Sequence, residues 1–167
     1  MTYFGPGVAP VLHRLAAVRL SIRELEIIDA CADGLSYAEV GELLDITDLG
    51  VKSSLARIGA KLGVGTRSGI VGRAYELRLL VPVPQPRVPL TPSQKRMLPH
   101  VAAGLENAAI ARRLHISVAT VKTHVHDAAG LLHARTRAHI VRRAVDCGAL
   151  SLVPSGARPA AGKGGTL

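Results

Sequence analysis

Apolar residues recur at helical spacing along most of the chain. Over 116–132, Val121, Val125, Ala128 and Leu132 share one face, while Thr120, Lys122, Thr123 and His124 lie off it in the first turns. Ser117 stands where an N-cap belongs, its hydroxyl placed to accept from an unpaired first-turn N–H. A shorter periodic stretch, 107–114, precedes it across a short turn. Taken alone, the longer helix is equally an ordinary amphipathic surface helix with one solvated lysine.

The same pattern occurs twice. A shift of 70 positions sets Leu20 on Leu90, Gly34-Leu35 on Gly104-Leu105, Val51-Lys52 on Val121-Lys122 and Leu62 on Leu132. Thr66-Arg67, Ile70-Val71 and Leu80 fall on Thr136-Arg137, Ile140-Val141 and Leu150, with no gap. Such ungapped register identifies two copies of one supersecondary unit, 20–80 and 90–150. Each copy has the layout of a helix-turn-helix, whose second helix presents its N-terminal residues to the major groove.

Four helices are predicted per copy. In the first, Ser21/Glu24 and Ser36/Glu39 form capping boxes, Thr47 caps the third helix, and the fourth runs from about Thr66 to Leu77. In the second, Thr91-Pro92-Ser93-Gln94 is a capping box with proline at the first helical position. Its helices are expected near 92–103, 107–114, 117–132 and 136–147. Between the copies, 81–89 reads Val-Pro-Val-Pro-Gln-Pro-Arg-Val-Pro, which excludes helix and predicts an extended polyproline spacer. At ~3.1 Å per residue it reaches roughly 28 Å, close to the ~34–36 Å between successive major-groove faces, so it would set both units on one duplex. A ligand for a proline-binding domain is the other use of such a segment, but its place between two copies favours a spacer. Residues 1–19 are expected to carry a short helix packed on the first copy. Residues 151–167, rich in Gly, Ala, Pro and Ser, are expected to be a disordered tail, with Arg158 and Lys163 available for weak phosphate contact.

Composition narrows the function. A copy of about 60 residues buries only a marginal core. Aromatics make up 2% of the chain, so its cores rest on Leu, Ile, Val and Ala, and the stacking platforms of single-strand and RNA binders are missing. The formal net charge of +9 points to a polyanionic partner. Cys31 and Cys147 read as buried small hydrophobes rather than a disulfide or metal pair, in keeping with a reducing cytoplasm. The N-terminus lacks a signal-peptide layout, and no run is long enough to span a membrane, so no membrane partner is expected.

Each copy resembles the LuxR-type helix-turn-helix DNA-binding domain of bacterial regulators. The resemblance rests on Arg23-Glu24, Gly34-Leu35-Ser36, Lys61-Leu62-Gly63-Val64 and Arg67-Ser68 in the first copy, and on Ile116-Ser117, Thr120-Val121-Lys122 and His124 in the second. It implies an all-α fold of two tandem four-helix domains joined by the proline-rich linker; no attached receiver or ligand-binding domain is expected. It also implies that the third helix reads the major groove, that the Val-Lys pair meets bases, and that dimerisation occurs, often through the fourth helix.

The copies depart from the pattern in opposite ways. The first keeps its scaffold, so that Glu24 and Arg67 are expected to tie helix one to helix four, but has Gly50 and Ser54 where the family has Thr and His. The second keeps Thr120 and His124 but has Ser93-Gln94 in place of Arg-Glu and Glu106 in place of the capping Ser, leaving Arg137 without that partner. Charge divides likewise: 20–80 has 7 Lys/Arg against 9 Asp/Glu, net −2, and 90–150 has 9 against 3, net +6. Glu42, Asp45 and Asp48 of the first copy correspond to Arg112, His115 and Val118 of the second.

No chemistry competes with DNA binding. His124 and His126 diverge by about 200° on a helix and cannot share a metal. His133 and His139 have no cysteine companion at zinc-site spacing. No phosphate loop, nucleophile elbow or paired carboxylate occurs, so neither an enzyme nor a cofactor is expected. The expectation is a cytoplasmic, nucleoid-associated regulator binding double-stranded DNA. Lys122 would donate to a base and Val121 would meet a thymine methyl or the backbone. Thr120, Thr123 and His124, with Arg112, Arg113 and Arg135, would hold phosphates. Lys52 would be a lesser contact in the first copy, while Arg142 and Arg143 would be only solvated. The rival is an adaptor whose acidic first copy docks on RNA polymerase, a sigma factor or another regulator.

Overall fold

A computed structural model describes residues 17–152; the expected N-terminal helix and the tail lie almost wholly outside them. Among the described residues there are eight helices and no strand. They are α1 (Ile22–Ala32), α2 (Tyr37–Leu44), α3 (Asp48–Leu62), α4 (Arg67–Glu76), α5 (Pro92–Ala102), α6 (Asn107–Leu114), α7 (Val118–Leu131) and α8 (Arg137–Asp146). All three expected capping boxes form. Glu106 precedes α6 without a side-chain cap, as its loss of a hydroxyl implied.

The 70-residue register holds in the core. Ile28 and Leu98, Val40 and Ile110, Val51 and Val121, and Leu62 and Leu132 are buried in equivalent places. In each quartet the first helix packs on the other three, and the second packs on the third. Both cysteines are buried and free.

The quartets also pack on each other. Helix α4 lies against α8, α4 against α5, and α1 against α8. The last two are one contact exchanged by the repeat, so the quartets are related as by a two-fold axis, the arrangement of an isologous dimer. Their buried residues join in one apolar cluster, which offsets the small core each would have alone. The expected spacer therefore does not hold two separated units. Instead Val83 N–H donates to Asp146 Oδ1 at 3.0 Å and Gln85 N–H to the Asp146 carbonyl at 2.9 Å, tying the linker to the end of α8. The fourth-helix face expected to join two chains is occupied within one.

One arginine assignment is corrected, and a second arginine finds a substitute for the partner it was expected to lack. Arg67 donates to the Cys31 and Leu35 carbonyls, not to Glu24. Glu24 pairs instead with Lys61 at 2.7 Å; burial alone would raise its pKa, but Lys61 and the Ser21 N–H outweigh that and lower it. Arg137 makes the equivalent bond to the Leu105 carbonyl at 2.9 Å and adds Asn107 Oδ1, so it needs no carboxylate. In both repeats this arginine satisfies carbonyls left open where helix one ends and helix two begins.

Candidate DNA-reading face

The turn before α7 is set by His115, left-handed at φ 55°, whose N–H bonds the Ala111 carbonyl and ends α6. Asp45 repeats this at φ 51° before α3. Ser117 then caps α7: its Oγ accepts from Thr120 N–H at 3.0 Å and lies 2.8 Å from Thr120 Oγ1. The cap thus holds the Thr120 side chain, while Thr123 Oγ1 donates back to the Ala119 carbonyl at 3.1 Å. These bonds fix the first two turns of α7 before any ligand arrives.

Around them Arg112, Arg113, Lys122 and Thr123 are exposed, and Thr120 and His124 half-buried. These six sit on α6 and the start of α7, on the solvent side of the helix-turn-helix. Val121 does not join them. It is 0% exposed and belongs to the core, because its position on the α7 apolar face excludes it from solvent; the expected base contact is corrected. Arg135 is also diverted: its Nη2 is 2.7 Å from Glu39 Oε1 of the first quartet. With the Ser36 backbone N–H as the larger cause, Arg135 helps hold the Glu39 pKa down to about 2.

The equivalent face of the first quartet is differently built. Thr47 caps α3 through Gly50 N–H at 3.1 Å, with Asp48 in the first turn. Lys52 lies over the Tyr37 ring, 5.4 Å from its centroid, a cation–π contact within the protein. Ser54, at the His124 position, is buried and accepts from Arg57 at 3.2 Å. Glu42, Asp45 and Asp48 are exposed, beside Leu43 at 63% and Leu49 at 72% exposure.

Sequence reasoning missed the residues between the quartets. Arg142, expected to be solvated, is 15% exposed and pairs with Asp29 Oδ1 at 2.6 Å and Asp33 Oδ1 at 3.3 Å across the junction. Arg143 is not free either, since its Nε donates to the Leu132 carbonyl at 3.0 Å. The signal was present in the repeat: Asp29 and the cap residue Asp33 lie four apart at the end of α1, and His139 and Arg142 share a face of α8, with Arg135 just before its cap.

The family model for bacterial regulatory proteins of the luxR family matches residues 18–74 and again 88–144, and the chain belongs to that family. It is therefore a DNA-binding transcription regulator with tandem LuxR-type helix-turn-helix units. No curated protein and no solved structure matches it. Among the described residues, no helix is long and apolar enough to cross a membrane.

Proposed function

We propose that this regulator reads double-stranded DNA chiefly through its second repeat, 90–150, from the cytoplasm and without catalytic activity. One observation carries the reading. The capped first turns of α7 present Lys122 and Thr123 to solvent beside exposed Arg112 and Arg113, whereas the equivalent turns of α3 carry exposed Asp48, Gly50 and a buried Ser54 beside exposed Glu42 and Asp45. Lys122 meets a base acceptor in the major groove. Thr123, His124, Arg112 and Arg113 grip phosphates, and Thr120 serves them by locking the helix start. Lys52 and Arg135, each engaged within the protein, contribute less.

Selection of bound sequences from random duplexes, with wild type and Lys122→Ala in parallel, tests this. Lys122→Ala is expected to cost ~1–3 kcal/mol on the selected site and to relax preference at one base pair. Equal weakening on every sequence would make Lys122 a phosphate contact.

A second reading applies to the first repeat. Two exposed leucines among three carboxylates, at the place of a reading face, suit a basic, partly apolar protein surface, such as one on RNA polymerase or another regulator.

A further inference from the structure

We propose that the junction between the repeats is a pairing code by which each repeat accepts the other and rejects its like, so that one chain, not two, occupies a DNA site and specifies only one half of it. The second part rests on the second repeat being the reader.

The code lies on the fourth helix and, at positions 65 and 135, just before its cap; a Cβ on Gly65 would meet nothing within 4 Å, so the close packing rests on Gly69 and Gly72. Positions 65, 69 and 72 are Gly, Gly and Gly; their equivalents 135, 139 and 142 are Arg, His and Arg. The surface they meet differs in the complementary sense: Asp29, Asp33 and Glu39 in the first repeat correspond to Pro99, Ala103 and Ala109 in the second. One half of the two-fold junction is thus packed by backbone. A Cβ on Gly72 would overlap the Ala102 carbonyl oxygen, and one on Gly69 would stand 3.3 Å from Gly104 Cα. Thr66 Oγ1 donates to the Gly104 carbonyl at 3.2 Å. The other half is ionic. Arg142 takes Asp29 and Asp33, Arg135 takes Glu39, and the His139 ring covers Gly34, where a Cβ would lie 2.6 Å from Nδ1.

Like-with-like pairing fails on both counts. Two first repeats would set glycines against aspartates at both ends, leaving voids beside unpaired carboxylates. Two second repeats would set Arg142 and His139 against Pro99 and Ala103, leaving the arginine only Asp146 of its own helix, 3.9 Å from its Nε, in place of Asp29 and Asp33. Within one chain, the tether also gives the correct pair a high effective concentration. The fourth-helix surface is therefore closed to a second copy. A symmetric dimer reads two equal half-sites and selects a palindrome. This chain presents α3 and α7 in the same relation but with reading residues on α7 only, and so selects a site without inverted repeat.

The test is the mass of the full chain over a range of concentrations, alone and on a duplex obtained by random selection. One chain, 17.5 kDa, at every concentration, one chain per duplex and a consensus with a single specified half are expected. Two chains per duplex, or an inverted-repeat consensus, would overturn the pairing code while leaving the reader assignment intact. A monomer that selects no duplex would instead overturn the reader and the half-site claim and leave the code standing. Gly72→Arg is expected to open the junction and produce concentration-dependent dimers. Should that variant not fold, Arg142→Gln, which adds no bulk, is expected to show concentration-dependent self-association where wild type shows none. Arg142→Gln folded and strictly monomeric would overturn the code.

Discussion

The two repeats share a backbone plan and divide its duties. In the first, the side chains that secure the scaffold are complete: Glu24 with Lys61, Arg67 on two carbonyls, and acids facing the junction. In the second, the solvent side of α6 and α7 is cationic, and the scaffold is held by fewer charged side chains. A duplicated unit joined to its own copy needs only one of each surface. Once the junction is internal, the second repeat leans on the first through Arg135 and Arg142.

Breaking the junction is the harshest way to probe that dependence. Gly72→Leu is expected to cost about 1–3 kcal/mol by overpacking the α4–α5 crossing, measured as a fall in denaturant midpoint. An unchanged midpoint would mean the crossing yields freely. Arg142→Ala is expected to cost less, about 1–2 kcal/mol. The value lies between exposed and buried pairs because Arg142 is largely buried while Asp29 and Asp33 are half exposed. Double-mutant cycles with Asp29→Ala and Asp33→Ala check it; zero coupling with both would mean Arg142 acts only by packing.

A smaller effect is expected with pH. Burial, then Arg143, holds the His139 pKa below its ordinary 6.5, partly opposed by Asp33. Its Nδ1 accepts from Arg135 N–H at 3.2 Å, a bond only the neutral ring can receive there. The folded value is depressed, so the unfolded chain takes up the proton first as pH falls. Stability linked to His139 is therefore complete above about pH 6.5 and lost as pH falls through the lower folded value. Thermal melts of His139→Gln should show a flatter slope below pH 6.5 than wild type. Parallel slopes would remove His139 from the junction's pH response.

Much of this was legible in the sequence, and the reasons are local. Capping boxes and apolar spacing depend on neighbours within a few residues, and the ungapped shift repeats them, so together they located the eight described helices. Val121 was assigned twice, to the core and to DNA, and burial resolves it in favour of the core. The linker misled because proline content states stiffness, not direction; its path is set by Asp146, distant in sequence. The Glu24–Arg67 pair failed because a carbonyl pair stood closer to the guanidinium than any carboxylate did. The junction was encoded at Gly69 and Gly72 against His139 and Arg142, yet it becomes readable only when the fourth helices are set face to face.

Matched charge reversal in the full chain tests the division of labour most directly, since isolated repeats would each expose half of the junction. Lys122→Glu and Lys52→Glu occupy equivalent positions on α7 and α3. Duplex affinity should be measured against salt, because each phosphate neutralised contributes about −0.9 to the log–log slope. Lys122→Glu is expected to abolish specific binding, and Lys52→Glu to leave both affinity and slope nearly unchanged. Equal damage from the two reversals would contradict the account and make both repeats readers of DNA.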